Sequence, residues 1–168
     1  MAVLTERERN FLLENRRIVL CTVAADGSPR PVPICFVLVE DMVTGSRLYT
    51  PLDEKAKSVD DPHLMARVRD IAARPQVTLL ADRWAEDWDR LAWLRIYGTA
   101  ALLEPADGEE HAKAVASLKS RYRQYARHDL ASRPLIRIVL TRSRSWGPLD
   151  LDGQVGDQLG GRLHDQLR

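Results

Sequence analysis

Two lysines one residue apart, Lys55 and Lys57, follow a short apolar run, Leu48-Tyr49-Thr50, that stops at Pro51. Ammonium groups at i and i+2 just past a strand end can converge on one anion, most naturally a phosphate, through charge-assisted hydrogen bonds. Charge pattern alone favours a simpler reading, a solvated loop in which Asp53, Glu54, Asp60 and Asp61 neutralise the lysines. The case for a site therefore rests on what flanks them. Other chemistry is thinly represented. No Ser-His-Asp or Cys-His pairing follows from spacing, and His63, His111, His128 and His164 are scattered, so no structural zinc is expected. Glu86 and Asp87 lie among Asp82, Arg83, Asp89 and Arg90 and read as a charged loop rather than an acid pair. Trp84 and Trp88 share that loop, where large apolar surface calls for a covering ligand or partner. Strand parity puts Arg95 on the same face as Trp93, a cation beside an aromatic wall that suits a polar ligand.

The chain has 168 residues, with 25 Lys and Arg against 24 Asp and Glu, which suits one domain with a real core and no basic field for nucleic acid. No apolar run approaches a membrane span and the amino terminus lacks a signal-peptide core, so a cytoplasmic location is expected. Cys21 and Cys35 are too few for a disulfide scaffold.

The elements that must position these residues follow from local pattern. Thr5 to Glu8 is a capping box, predicting a helix from Thr5 to Glu14 that buries Phe11 and Leu12. Arg16 to Ala24 and Pro29 to Val39 flank Asp26-Gly27, the signal for a hairpin pairing 25 with 28, 21 with 32 and 18 with 35. That register places the two cysteines on opposite faces. Pro29, Pro31 and Pro33 then occupy non-hydrogen-bonded pairs, so their missing donors cost this hairpin nothing. The opposite flank of the strand cannot take a regular neighbour. It must meet solvent, a ligand or another subunit, and its apolar side chains favour the last two.

A loop, Glu40 to Ser46, leads to the Leu48–Thr50 strand. Asp61-Pro62 starts a helix with Leu64, Val68, Ile71 and Ala72 on one stripe and Arg67 and Arg69 off it, ending after Arg74 at Pro75. Gln76 to Ala81 and Leu91 to Leu103 are strands, the second bulged or closely approached at Gly98. Asp107 and Glu110 cap a helix carrying Val115, Leu118, Tyr122 and Tyr125, and Pro134 to Leu140 is the last strand, reaching Trp146. The expected organisation is one domain over residues 1–147 and a flexible tail over 148–168. Strand succession without strand–helix alternation predicts an α+β fold, a Greek-key or split barrel rather than a doubly wound sheet.

The run of Arg30-Pro31-Val32-Pro33, Leu48-Tyr49-Thr50 and Asp53-Glu54-Lys55-Ala56-Lys57 resembles the pyridoxamine-phosphate-oxidase-like flavin-binding split barrel. The segments Arg67 to Leu80, Asp82 to Trp88 and Leu91 to Gly98 are similar to its coenzyme F420-dependent oxidoreductase branch. The resemblance covers Thr5 to Trp146. It implies a predominantly antiparallel six-stranded split β-barrel with flanking helices, and a homodimer with cofactor sites at the interface. It further implies a cofactor ring along Val32, Pro33 and Ile34 and against Tyr49 and Thr50, with the phosphate held by Lys55 and Lys57. Residues from Trp88 to Arg95, and Trp146, would close the site from the second subunit. The oxidase proper has adjacent Arg and Lys; here Ala56 separates two lysines, which points to coenzyme F420, with FMN as the alternative. The implied activity is hydride transfer from reduced deazaflavin to a small unsaturated or quinone-like substrate. A non-catalytic flavin or haem binder is the contrasting reading, and haem would need an axial ligand, for which His63 is the nearest candidate. No catalytic acid or base is named, because the cofactor carries the chemistry.

Overall fold

The computed structural model describes residues 3–41, 43, 45–52 and 61–150. Lys55 and Lys57 lie outside the described residues, as does most of the predicted tail. The elements are α1 (Glu6–Glu14), β1 (Ile18–Val23), β2 (Pro29–Ile34), β3 (Val37–Asp41), β4 (Gly45–Pro51), α2 (Ala66–Ala73), β5 (Gln76–Arg83), β6 (Ala92–Leu103), α3 (Glu109–Arg121) and β7 (Leu135–Trp146). All described strand pairs are antiparallel, in one seven-stranded sheet ordered β2-β1-β5-β6-β7-β4-β3. The expected α+β class holds, but among the described residues there are seven strands rather than six, and no ladder joins β2 to β3 to close a barrel.

The seventh strand arises because the predicted Pro29–Val39 run divides. The Tyr122 hydroxyl accepts from the Phe36 N–H at 2.9 Å and lies 2.9 Å from both the Phe36 and Arg16 carbonyl oxygens. With Phe36 pinned there, β2 stays on β1 while β3 leaves to pair with β4. Consecutive strands thus become the two edges of the sheet, linked only through Cys35 and Phe36, and the sheet must curl to bring those edges together.

The hairpin register differs by one from expectation: Cys21 opposes Pro31 and Ile18 opposes Ile34. The turn has three residues rather than two. Gly27 adopts φ 88° and donates to the Ala24 carbonyl, while the Ala24 N–H donates to Ser28. This is the type I turn plus left-handed residue of a three-residue hairpin. Counting from the bonded Ala24/Ser28 pair, the three prolines still fall in non-bonded slots. The slip does exchange faces. Val32 and Ile34 turn inward with Ile18 and Leu20, whereas Pro31 and Pro33 turn outward with Cys21 and Val19. Both cysteines are free thiols.

The inner face of the sheet packs on α1 and α2, through Phe11, Leu12, Val68 and Ile71 against Leu20, Leu79, Leu94, Ile96 and Ile138. A second cluster lies on the outer face, where α3 and the turn after it lay Ala114, Leu118, Tyr122 and Tyr125 over Val37, Tyr49, Leu103 and Leu135. Asp70 of α2 is buried and accepts from Thr22 Oγ1 at 2.8 Å and Arg30 Nε at 2.9 Å, tying α2 to the hairpin. The predicted helix from Asp61 is broken at Met65, with a 3-10 turn at Pro62–Leu64, and Leu64 is 56% exposed rather than on the buried stripe.

The Gly98 irregularity is a bulge in which Thr141 of β7 is the extra residue: Tyr97 opposes Arg142 and Gly98 opposes Leu140. A Cβ on Gly98 would stand 2.6 Å from Ile138 Cγ2 and 2.7 Å from the Val139 carbonyl oxygen. The last strand reaches Trp146, as expected. Beyond it, Arg83 donates to the Pro148 and Leu149 carbonyls, and Arg7 pairs with Asp150 at 2.7 Å.

The capping box at Thr5 forms, and Glu8 also accepts from the Ser143 and Ser145 hydroxyls at 3.1 and 3.0 Å, docking α1 on β7. Burial opposes the Glu8 charge, but the Thr5 N–H and the hydroxyls of Ser145, Ser143 and Thr5 outweigh it and hold the carboxyl below its ordinary 4.5. A depressed folded value contributes stability that is full above 4.5 and is lost as pH falls through the folded value. Glu8→Gln is therefore expected to be less stable than the parent at pH 7 and to lose less stability on acidification. Urea titrations at several pH values check this, and parallel acid limbs for the two proteins would contradict it.

Candidate functional site

Two features of the sheet converge on the region the sequence singles out. The first is an unpaired seam. Among the described residues β2 pairs only with β1, so no described strand lies along its proline-bearing flank. Across the Cys35–Phe36 link, β3 reaches only as far as Val37 opposite Tyr49, leaving Thr50 and Pro51 of β4 paired with β7 alone. The segment holding Lys55 and Lys57 begins immediately beyond, and its described ends are held. Arg133 Nε donates to the Leu52 carbonyl at 2.8 Å, and the Asp61 carboxylate accepts from the His63 N–H at 2.9 Å.

The second feature is a depression of about 560 Å³ on the outer face, lined by Val19, Cys21, Pro31, Thr78, Leu80, Asp82, Trp93 and Arg95. It lies beyond the part of that face covered by α3. The register explains the membership: Val19 opposes Leu80, Leu80 opposes Arg95 and Asp82 opposes Trp93, so these side chains share one face. The Arg95 guanidinium stands 5.2 Å from the Trp93 ring centroid and 5.8 Å from that of Tyr97. An apolar floor with a cation and a carboxylate at one end fits a planar heterocycle with polar substituents.

Of the predicted site residues, Pro33 is exposed on the seam strand and Arg95 lines the depression. Val32 is half-buried and Ile34 is buried, both packed in the inner core. Thr50 is buried on the inner face and is the first residue of β4 beyond its ladder with β3, so its backbone rather than its side chain borders the seam. Trp88 is 79% exposed in a short 3-10 turn before β6. The side chain of Tyr49 is not at the seam. It lies under α3, donating to Glu110 Oε1 at 2.7 Å, and Glu110 also meets Arg47 at 3.2 Å and Arg137 at 3.1 Å. Burial and that hydrogen bond push the Tyr49 phenol up to about 12. Burial opposes the Glu110 charge, but Tyr49 and the two arginines hold its carboxyl below the ordinary range. This network anchors α3 to the sheet. Val19, Cys21, Pro31, Thr78 and Leu80 are depression residues that strand pattern alone does not single out, because their common face depends on the register of β1 with β2 and β5.

His63 is exposed, with Nδ1 at 2.8 Å from Asp61 and Nε2 at 3.0 Å from Glu104, and those hydrogen bonds raise its pKa above 6.5. Both ring nitrogens are engaged, leaving neither for a haem iron in this arrangement.

The family model described as pyridoxamine 5'-phosphate oxidase matches residues 4–147. No curated protein matches the chain. Among solved structures, a conserved hypothetical protein of Mycobacterium tuberculosis is 20% identical with a TM-score of 0.65, covering 95% of this chain and 94% of that one. An F420 reductase is 22% identical with a TM-score of 0.55, covering 84% of this chain and 98% of that one. The haem storage protein HutZ of Vibrio cholerae is 19% identical with a TM-score of 0.58, covering 88% of this chain and 95% of that one. At these identities the likeness establishes the fold. No helix among the described residues is long and apolar enough to cross a membrane.

Proposed function

This chain belongs to the pyridoxamine 5'-phosphate oxidase family, and from that premise we propose that it is an oxidoreductase holding a flavin-type cofactor. The cofactor of choice is coenzyme F420, with FMN as the alternative, and the substrate is a small unsaturated or quinone-like molecule. The observation that carries this reading is the seam: an edge strand whose prolines withhold donors, joined through Cys35 and Phe36 to β3, beyond which the end of β4 pairs with β7 alone among the described residues. Such a slot admits a flat ring without competition from a regular β neighbour. When bound, the cofactor supplies the hydride chemistry.

The chain's own residues bind and orient. Pro33 and the backbone at Ile34 and Thr50 border the ring, and Lys55 and Lys57 hold its phosphate. Trp88, Arg95 and Trp146 close the site from the second subunit of a homodimer and exclude water. The open outer face, with its 560 Å³ depression, is surface that such an assembly would cover.

Titrating the purified protein separately with FMN, coenzyme F420 and haem, followed by fluorescence quenching and absorbance, tests the proposal. Tight F420 binding with turnover of an enone or quinone panel is the expected result. Binding of FMN without F420 would move the assignment to the alternative cofactor. Haem binding alone would overturn both.

A further inference from the structure

The bulge at Thr141 has a chemical consequence. Along β7, Ile136, Ile138 and Leu140 point inward; the extra residue reverses parity, so Arg142, Arg144 and Trp146 point outward and Ser143 and Ser145 point inward to Glu8. The outward set lies directly opposite Tyr97, Arg95 and Trp93 of β6. Arg95 and Arg144 therefore face each other across one ladder step, where like charges are destabilising. Arg142 adds a third positive charge, 3.9 Å from the centroid of the Tyr97 ring. Aromatic faces attract these guanidinium groups but do not neutralise them. Among the described residues no carboxylate pairs with Arg95, Arg142 or Arg144. Three other arginines of the sheet are matched by carboxylates, Arg30 by Asp70 and Arg47 and Arg137 by Glu110, while Arg83 donates to backbone carbonyls. The one acid lining the adjoining depression is Asp82, opposite Trp93.

We infer that Arg95, Arg142 and Arg144 form a seat for a carboxylate or phosphate whose apolar, planar body lies over Trp93 and in the depression floored by Val19, Pro31 and Leu80. A guanidinium fork matches the planar oxygen pair of such an anion, and two of them flanking it remove the repulsion between the facing strands. Resting on the proposed oxidoreductase reading, the seat makes the substrate an acid, an aromatic or conjugated carboxylate or phosphate, rather than a neutral enone or quinone.

The test uses the full chain and calorimetric titration with 2-naphthoate, 2-naphthyl phosphate and the neutral 2-naphthamide. Both anions are expected to bind about tenfold or more tighter than the amide, as for gain of a charged hydrogen bond, and more weakly at high salt. The tighter of the two anions identifies the headgroup. Arg142→Gln and Arg144→Gln should each weaken the anions about fivefold or more, leaving the amide unchanged and the melting temperature no lower, since each change lessens the repulsion. Equal binding of amide and anions, no anion binding, or unchanged affinity in the doubly substituted protein would each overturn the seat. So would a shift of that protein from dimer to monomer in sedimentation with no change in anion affinity, which would pair these arginines with acids of a second copy. FMN and F420 titrations of the same samples separate the two readings. Anion selectivity without cofactor binding removes the oxidoreductase proposal and keeps the seat; cofactor binding without selectivity removes only the seat.

Discussion

Alanine at both Lys55 and Lys57 is expected to weaken binding of a phosphate-bearing flavin-type cofactor by about 3–6 kcal/mol, from roughly 1.5–3 kcal/mol per charged hydrogen bond lost. That corresponds to roughly a hundredfold to ten-thousandfold in Kd. The size of the effect depends on how little the segment must be ordered on binding. Its described boundaries favour a large effect: Leu52 is buried with its carbonyl held by Arg133, and Asp61 caps the turn that leads into α2. The ends are thus fixed before any ligand arrives, which lowers the ordering cost. Cofactor titration of the single and double variants checks this, with the salt dependence of Kd shallower in the double variant. Unchanged affinity would return the two lysines to the simpler reading, charges solvated beside Asp53, Glu54, Asp60 and Asp61.

The second large effect is on the fold and falls on Tyr122. Its ring is buried in the α3 cluster, edge-on to Tyr125 at 5.6 Å, and its hydroxyl meets the Phe36 N–H and the carbonyls of Phe36 and Arg16. Tyr122→Phe leaves the buried Phe36 N–H without its acceptor and is expected to cost about 1–3 kcal/mol. Tyr122→Ala adds the loss of the ring and should cost about 3–5 kcal/mol. Urea unfolding measures both. The local signature is faster amide exchange at Phe36 in Tyr122→Phe than elsewhere in β2 and β3. A Phe variant as stable as the parent, with Phe36 still protected, would mean that the Cys35–Phe36 crossing holds without the hydroxyl.

Much of the fold was legible because its signals are local. The Thr5–Glu8 capping box closes within one helical turn, and the chain reads it correctly at that distance. The prolines at 29, 31 and 33 marked an edge strand because a missing N–H is a property of the residue itself, independent of partner. Proline parity is the same in either register, since a three-residue loop shifts the partners by one without moving the prolines out of the non-bonded slots. The Gly98 bulge was likewise marked by the residue that tolerates a close backbone. Family membership came from these segments taken together.

What escaped was set by contacts distant in sequence. Nothing within Pro29–Val39 marks the break at Cys35–Phe36, because the group that makes it is Tyr122, 86 residues away. Tyr49 borders the seam in sequence, but α3 claims its side chain through Glu110, 61 residues on. The outward turn of Arg142 and Arg144 depends on one extra residue opposite Tyr97, a matter of register between two strands. The amino-acid sequence by itself determined which strand would be an edge, where the first helix begins and which family's segments are present, whereas α2 starts at Ala66 rather than Asp61 and α3 is capped by Gly108 rather than Asp107. Only the tertiary structure decided which face each side chain occupies, because a β-strand offers both faces equally until a neighbour's register chooses between them.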